Sequence, residues 1–409
     1  MESELKSQFA KVNDSKSKFA KVNDSKSQFA KVNDSKSQFA KVNDSKSKLW
    51  KYLPVARENN VARVVTDTRT DELSPVKHFT KIKCYKGDSL RQLIDNEDQQ
   101  PFNDIVQFLK TNYKNNAKSR FPLRYTVDTL RWFFSDKEND NNGNVLVLVF
   151  SKSGETILGA IASRGCRVRY CSSVADTIGV SFLCVKSDLR KMGVASILID
   201  RLIAETKNCN KMAVFMSSQQ LPIKPLKRVT YMHLPLSPRQ LHQKEFISIE
   251  SKRKYSQMRF DSTQCRLSTD ADLEQMYDRY KSMSSTKDLT LQFDSLKSFA
   301  NYFRNSKSMI TLCVNLKSDS DSKLHFGSFI PISLGSVRNV YVVYCTCDID
   351  RFANFLKQLK YEVISATSNQ IGNSDIWIEG TGVSSYYLYN QNREPIDSNI
   401  DIYLSLIHI

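Results

Sequence analysis

The residues best suited to chemistry lie in one short stretch near the middle of the chain, at 180–195. Residues 180–185, Val-Ser-Phe-Leu-Cys-Val, have the β-branched and aromatic bias of a buried strand, and residues 194–206 have apolar positions at helical spacing. The turn between them reads Arg190, Lys191, Met192, Gly193, Val194, Ala195. Small residues let main-chain N–H groups approach a pyrophosphate, and a helix dipole with Arg190 or Lys191 favours its charge. This stretch therefore predicts a phosphate-binding turn, and an ordinary strand-to-helix turn is the alternative.

The length and composition of the chain predict a globular protein with its own core. At 409 residues and 40% hydrophobic content, two to three domains are expected. No apolar run reaches the roughly 18 residues that a membrane span needs, and the N-terminus has no apolar signal core. A cytoplasmic location is therefore expected.

The cysteines and histidines indicate reduced thiols and no metal site. Nine cysteines are present without a Cys-x-x-Cys pair, which is typical of a cytosolic protein with free thiols. The five histidines do not have zinc-ligand spacing, so no metal is expected.

The formal net charge of +17 is compatible with two kinds of partner. A basic surface attracts nucleic acid without sequence specificity, and it equally suits a polyphosphate cosubstrate. Lysine and arginine are spread along the chain and are not interleaved with aromatic residues in one block, so nucleic-acid binding is the weaker interpretation.

Residues 9–48 are near-perfect ten-residue copies of Phe-Ala-Lys-Val-Asn-Asp-Ser-Lys-Ser-Gln. A period of ten does not match the helical turn, and three apolar residues per copy cannot offset the entropy of ordering. Residues 1–47 are therefore predicted to be a disordered basic tail. A solvated spacer is the preferred interpretation, and loose association with ribosomes, RNA or an anionic surface is the alternative.

The rest of the chain shows the same order of elements twice. Helices are expected at 88–95, 103–112, 126–134, 194–206, 269–283, 295–305 and 349–359, and strands at 144–151, 155–162, 167–170, 180–185, 211–216, 309–315, 327–334, 339–345, 361–367 and 384–390. Residues 58–90 are predicted to be irregular and 250–256 to be a basic linker. The expected fold class is α+β, with tandem halves at 48–250 and 251–409 around one mixed, mostly antiparallel sheet.

Several separated motifs together resemble the N-myristoyltransferase family, within the GNAT superfamily of acyl-CoA N-acyltransferases. They are Trp50 with Pro54 and Val55, Phe182 to Val185 with Leu189 and Arg190, Leu221 and Pro222 with Lys224 and Pro225, Tyr231 and His233, Pro238 with Arg239, and Gly380 to Gly382 with Tyr386 to Asn390. The resemblance runs from about residue 48 to residue 409. It implies two GNAT-like halves and transfer of a fatty acyl group, myristoyl first, from acyl-CoA to an N-terminal glycine.

The resemblance also implies roles for individual residues. Main-chain amides of Phe182 and Leu183 would stabilise the oxyanion, and the carboxylate of Ile409 would act as base. Acyl-CoA would be held by the N-terminal half, at Lys48, Leu49, Trp50, Phe182, Leu183, Cys184, Val185, Arg190, Lys191, Gly193, Val194 and Ala195. The peptide would contact the other half and the middle of the chain, at Tyr113, Ser181, Met216, Ser217, Tyr231, His233 and Gly380. A monomer without a permanent cofactor is expected.

The peptide part of the pattern departs from the family more than the acyl-CoA part. Ser181 stands where the family has Asn, and Met216 stands where it has Thr, in a segment that reads Phe215-Met216-Ser217-Ser218 in place of Tyr-Thr-Ala-Gly. A Met accepts a hydrogen bond from the glycine amine poorly. The alternative function is therefore a catalytically impaired homologue that binds acyl-CoA as a binding or decoy module. For His233, a core position is as compatible with the sequence as a peptide contact.

Overall fold

The computed structural model describes residues 79–95, 100–113, 120–134, 143–170, 173–206, 212–221, 223–261, 264–287, 289–317, 322–371, 375–389 and 400–401. All of them belong to one compact unit, Leu53–Ile409. Several predicted features lie outside the described residues: the repeats, the segment with Lys48, Leu49 and Trp50, and the C-terminal Ile409. The structure therefore does not test the predictions made for them.

The first part of the chain alternates strands and helices. In order, the elements are β1 (Phe79–Lys86), α1 (Gly87–Asp95), α2 (Gln100–Asn112), β2 (Leu123–Arg124), α3 (Val127–Phe134), β3 (Val145–Ser151), β4 (Ile157–Tyr170), β5 (Ser173–Val185), α4 (Val194–Thr206), β6 (Met212–Ser217), β7 (Lys227–Pro235), α5 (Pro238–Gln243) and α6 (Ile249–Ser256). The helix predicted at 194–206 is confirmed at both ends. The strand predicted at 180–185 ends as expected at Val185 but begins seven residues earlier, at Ser173, because it pairs with β4 along that length.

Three of the predictions for this part are wrong. Residues 79–86, expected to be irregular, form β1, because their backbone pairs with β3 along its length. Residues 167–170 are not a separate strand but the end of the long β4, which pairs with β5 up to Tyr170. Residues 250–256, expected to be a linker, form α6, whose first turn is capped by the Ser248 hydroxyl accepting from the Ser251 N–H at 3.1 Å.

The second part repeats the alternation. Its elements are β8 (Cys265–Leu267), α7 (Leu273–Ser284), β9 (Leu289–Gln292), α8 (Leu296–Phe303), β10 (Ile310–Lys317), β11 (Ser322–Pro331), β12 (Ser333–Leu334), β13 (Asn339–Cys345), α9 (Ala353–Gln358), β14 (Val363–Thr367), β15 (Ile378–Tyr389) and β16 (Ile400–Asp401). Over the described ranges, no helix is both long and apolar enough to cross a bilayer.

One mixed sheet of 14 strands connects both parts, and the central order is β1-β3-β4-β5-β6-β15-β7-β14-β13-β11-β10-β8. Most neighbours are antiparallel, and the parallel pairs are β5 with β6, β13 with β14, and β9 with β16. Strand β15 lies beside β6, and β7 lies beside β14, so each part contributes one strand next to the other. The predicted α+β fold around a mixed, mostly antiparallel sheet is confirmed, while a domain division at residue 250 stays a prediction.

Two glycines, one in each part, allow close packing against the sheet. A Cβ at Gly159 of β4 would lie 2.9 Å from Cδ1 of Leu198, and one at Gly327 of β11 would lie 2.9 Å from Cε2 of Phe352. Leu198 belongs to the buried face of α4, which also contains Val194 and Ile197. Each such side chain stabilises the fold by about 1.5–3 kcal/mol on burial. Gly159 therefore determines how closely α4 and the turn before it approach the sheet.

Candidate functional site

A β-bulge interrupts β5 at the residues predicted to stabilise an oxyanion. Val185 pairs with Gly159 and Cys184 with Ala160, but Ser181 pairs with Ala162. Phe182 and Leu183 therefore lie opposite the single residue Ile161, and Phe182 adopts a left-handed φ of 59°. A bulge re-aims the main chain and leaves its residues out of the ladder. The amides of Phe182 and Leu183 are thus displaced from regular pairing with β4.

Aromatic packing holds this strained conformation in place. The ring of Phe182 is buried and makes edge contacts with Tyr125 at 5.7 Å and Phe133 at 5.1 Å between centroids. Phe133 comes from α3, whose first turn is capped by the Thr126 hydroxyl accepting from the Thr129 N–H at 3.1 Å. A non-glycine residue in a sparsely populated region costs about 1–3 kcal/mol, which burial of one phenyl ring offsets.

Strand β5 also pairs with β6 on its other side, and the two strands separate just before the bulge. Their parallel register runs from Thr177 with Met212 to Val180 with Phe215 and does not include Ser181 or Met216. Ser181 is fully buried, and its hydroxyl has no hydrogen-bond partner in the described part of the chain. Buried polar groups are nearly always paired, so an unpaired one at a strand separation indicates a place for a ligand group.

The predicted phosphate turn follows β5, and it carries two left-handed residues. Lys191 has φ 69° and Gly193 has φ 85°, with the exposed Met192 between them. Helix α4 begins at Val194, and the first N–H groups of a helix have no acceptor within it. Successive N–H groups in such a turn form a concave anion site, so the geometry suits the pyrophosphate that the sequence predicted.

Arg190 is hydrogen-bonded within the protein and braces the turn. Its guanidinium donates to the carbonyl of Val185 at 3.3 Å and to the carbonyl of Asn112 at the end of α2. The Ser187 N–H donates to the side-chain oxygen of Asn112 at 3.4 Å. The turn is thereby tied to α2, and Lys191 within the turn is exposed to solvent.

Buried tyrosines surround the bulge on the side of α2 and α3. Tyr113 and Tyr125 meet edge to face at 6.2 Å, and neither hydroxyl has a hydrogen-bond partner among the described residues. Tyr231 reaches across from β7, with its hydroxyl 3.7 Å from Sδ of Met216. Burial raises the pKa of Tyr113, Tyr125 and Tyr231. These phenols stay neutral and can donate hydrogen bonds, but they are poor bases.

His233 is held in a fixed neutral form. Ser365 donates its hydroxyl proton to Oδ1 of Asn339 at 2.6 Å, so it must accept from Nδ1 of His233 at 2.8 Å. Burial lowers the pKa of His233 to about 4. A Cβ at Gly380 would lie 2.9 Å from Nε2 of His233, so Gly380 provides room for the imidazole.

Ser217 and Met216 provide less polar surface than the family pattern implies. The Ser217 hydroxyl donates to the carbonyl of Gln219 at 3.0 Å and accepts from its N–H at 3.1 Å. Met216 is fully buried and pairs with Tyr386 of β15. Of the side chains predicted to hold the glycine amine, Ser181 is the one whose hydroxyl is buried without a partner over the described ranges.

The structure brings together most of the described residues that the sequence singled out. The bulge, the turn, Tyr113 and Met216 lie around the separation of β5 and β6, and Tyr231 contacts Met216. Strand β15, which carries Gly380, lies beside β6, and β7, which carries both Tyr231 and His233, lies beside β15. Sequence reasoning did not identify the brace at Asn112 or the role of Ile161 as the single partner of two residues. Neither has a local signal, because the Arg190 to Asn112 contact spans 78 positions and a bulge depends on the partner strand.

Comparisons with known proteins agree with this geometry. Residues 88–226 match the family model described as myristoyl-CoA:protein N-myristoyltransferase, N-terminal domain. The chain is 22% identical over 362 residues to the glycylpeptide N-tetradecanoyltransferase of Candida glabrata, covering 75% of this chain and 78% of that protein. It is 21% identical over 404 residues to the Kluyveromyces lactis protein of the same name, covering 86% and 87%.

A solved structure shares the fold. The structure of Saccharomyces cerevisiae N-myristoyltransferase with bound myristoyl-CoA superposes with a TM-score of 0.70 at 18% identity, covering 86% of this chain and 90% of that one. The fold is thus that of the solved yeast N-myristoyltransferase structures. The chain is similar to the N-myristoyltransferases, over residues 88–226 by the family model and over most of its length by these curated relatives. Among the described residues, no group of His, Cys, Asp and Glu is arranged to hold a metal ion.

Proposed function

We propose that this chain transfers a fatty acyl group, myristoyl as first candidate, from acyl-CoA to the N-terminal glycine amine of a protein. The observation that carries the proposal is the bulge at Phe182 and Leu183, directly before a turn suited to pyrophosphate. A thioester carbonyl held at the bulge and a CoA phosphate held at the turn belong to one ligand. Acyl-CoA is a cosubstrate in this proposal, and no resident cofactor takes part.

The chemistry needs two things from the protein. The amine attacks the thioester carbon, the C–N bond forms, and the C–S bond breaks with release of the CoA thiol. In the tetrahedral intermediate the carbonyl oxygen becomes an oxyanion, which main-chain amides of Phe182 and Leu183 would stabilise. Removing one such donor typically slows a reaction by about 10²–10³.

The amine must also lose a proton, and we propose the main-chain carboxylate of Ile409 as the base. Strand β16 at Ile400–Asp401 precedes this residue and pairs with β9, which pairs with β4. Strand β4 in turn carries Ala162 opposite Ser181. Desolvation of a carboxylate beside the bulge would raise its pKa into a useful range.

Ser181 is the proposed contact for the glycine amine. Its hydroxyl is buried and unpaired in the described part of the chain, directly before the bulge. It can accept a hydrogen bond where Met216 provides none of comparable strength. A Ser181→Ala variant should therefore raise KM for the peptide while leaving acyl-CoA affinity unchanged.

The decisive experiment is an acyl-transfer assay with the full chain. Labelled myristoyl-CoA and glycine-initiated peptides should give an N-acylated product, and the same peptides acetylated at the glycine should give none. Deleting Ile409 should lower kcat without changing acyl-CoA affinity. No transfer to any peptide would overturn the proposal, while transfer unaffected by the deletion would overturn only the assignment of the base.

A second candidate is an impaired homologue that binds acyl-CoA as a binding or decoy module. It is favoured by the buried Met216 and by the internal use of the Ser217 hydroxyl. Calorimetry would then show tight acyl-CoA binding without turnover. The double variant Ser181→Asn with Met216→Thr should gain activity in that case, whereas an active wild-type protein would rule this candidate out.

The setting proposed for this activity is the cytoplasm, with the protein as a monomer. The seven cysteines in the described part of the chain are all free thiols, as expected in a reducing compartment. Association of residues 1–47 with ribosomes or another anionic surface stays a prediction. Deleting them should leave acyl transfer intact and abolish any salt-sensitive association.

A further inference from the structure

A pocket of about 650 Å³, away from the candidate acyl-transfer site, opens beside α5 and the end of α9. It lies at the opposite end of β14 from the candidate site, because Thr367 at one end pairs with Tyr231, while Glu362 in the pocket precedes Val363 at the other. Four residues of strand separate these ends by about 13 Å. The pocket is therefore distinct from the acyl-transfer site.

The lining of this pocket is strongly basic. It contains Lys244, Arg338, Lys357 and Lys360 with the single carboxylate of Glu362, together with uncharged polar side chains of residues 237–243. Four cations against one carboxylate leave a net charge of +3. A concave surface with one sign of charge concentrates counter-ions of the other sign.

The single carboxylate of the pocket, that of Glu362, already accepts hydrogen bonds from within the protein. Nζ of Lys244 lies 2.8 Å and 2.6 Å from the two oxygens of Glu362, and the Arg338 N–H donates to the same carboxylate at 2.8 Å. Lys244 also donates to the carbonyl of Ser336 at 2.8 Å. This buried ion pair forms a fixed floor, so Glu362 is not available to neutralise the other three cations.

The other three cations, Arg338, Lys357 and Lys360, are held partly in place by their own contacts. The Arg338 guanidinium donates to the carbonyl of Leu359 at 3.2 Å and lies over the ring of Tyr361 at 5.4 Å. Lys357 lies in the last turn of α9, and Lys360, which has φ 67°, follows the helix and donates its N–H to the carbonyl of Lys357 at 2.9 Å. Over the described ranges, none of the three forms a salt bridge with a carboxylate.

Two features of the pocket disfavour the binding of an anion, and they determine how much charge a bound anion must carry. The carbonyl end of α9 and Glu362 both favour positive charge. A singly charged ligand therefore gains little, whereas one with several charges engages all three cations. Arginine provides a planar fork that matches phosphate, and lysine acts as a flexible point charge.

We propose that this pocket binds a phosphate-bearing ligand with two or more negative charges, held by Arg338, Lys357 and Lys360. Its volume is in the range of small-molecule sites and exceeds that needed for one phosphate. The same chemistry is present in a phosphorylated lipid headgroup and in a free polyphosphate. This proposal does not depend on the acyl-transfer reaction.

The test uses two probes with the full chain. Inorganic tripolyphosphate is titrated by calorimetry, and phosphatidylcholine vesicles with or without phosphatidylinositol bisphosphate are used in co-flotation. The triple variant Arg338→Gln, Lys357→Gln, Lys360→Gln is compared with Arg253→Gln, Lys307→Gln, Lys323→Gln, which removes equal charge from exposed positions outside the pocket.

Wild type and the control variant should bind at least one probe, and the pocket variant should lose tenfold or more in affinity. Binding to vesicles alone assigns a lipid headgroup, and binding to tripolyphosphate assigns a free ligand. Equal loss in both variants, or no binding of either probe, overturns the proposal. If the triple variant does not fold, Lys357→Gln with Lys360→Gln keeps the Arg338 contact to Leu359 and gives the same comparison.

Discussion

The guanidinium of Arg190 donates a hydrogen bond to the main-chain carbonyl of Asn112, across 78 positions of the chain. This contact joins the turn after β5 to the end of α2, next to Tyr113. An arginine that the sequence suggests as a phosphate ligand is therefore hydrogen-bonded within the protein at the turn, and we propose that the main-chain amides of the turn meet the phosphate.

Replacing Arg190 tests this brace. Arg190→Ala should destabilise the fold by about 2 kcal/mol, because hydrogen bonds from a charged group to buried carbonyls are lost. It should also weaken acyl-CoA binding, since the turn loses its support. Thermal unfolding and calorimetry measure the two effects. Asn112→Ala keeps the main-chain carbonyl and should be milder, and weaker binding with unchanged stability would instead indicate direct phosphate contact.

Replacing Gly193 tests the phosphate turn. Gly193→Ala places a side chain at φ 85°, which costs about 1–2 kcal/mol and crowds the approach of the ligand. Gly87→Ala is the matched control, because Gly87 has φ 52° and a Cβ there would meet nothing within 4 Å. Both variants should lose similar stability, but only Gly193→Ala should raise the Kd for acyl-CoA, by about tenfold for each 1.4 kcal/mol. Equal Kd values in the two variants would argue against the turn.

Replacing Phe182 tests the bulge. Phe182→Leu and Phe182→Val both remove aromatic packing, but a β-branched residue is much less compatible with a φ of 59°. We expect Phe182→Val to lower kcat by about a hundredfold relative to Phe182→Leu, on the scale of one lost oxyanion donor. Steady-state kinetics with both variants checks this. Similar kcat values for the two would show that the bulge conformation does not support catalysis.

The partly buried, neutral His233 predicts a pH dependence of stability. The unfolded chain takes up a proton near the ordinary pKa of 6.5, whereas the folded chain does so only near 4. The contribution of this residue is therefore present above pH 6.5 and is lost as the pH falls towards 4, by about 1.4 kcal/mol per pH unit and about 3 kcal/mol in all. Denaturant unfolding of wild type and His233→Asn between pH 4 and 7 isolates the effect. A difference between the two proteins that does not change with pH would contradict it.

The sequence by itself determined the elements that local patterns encode. Helix α4, the end of strand β5 and the glycine turn between them follow from apolar spacing and from a backbone conformation that suits glycine, so they are predicted nearly to the residue, whereas the start of β5 is not. The order of motifs along the chain also indicated the family and the α+β class. Strand β1 and helix α6 were missed, because their regular structure depends on pairing and capping that composition alone does not reveal.

Only the tertiary structure decided how the site is built. The bulge at Phe182 exists because β4 offers one residue, Ile161, opposite two, and no local pattern records that register. The role of Arg190 depends on a carbonyl of α2, and the neutral state of His233 depends on burial and on Ser365 from another strand. Contacts between distant segments are set by packing of the whole sheet. Residue type therefore identified the candidate site residues, and the tertiary structure determined their positions and contacts.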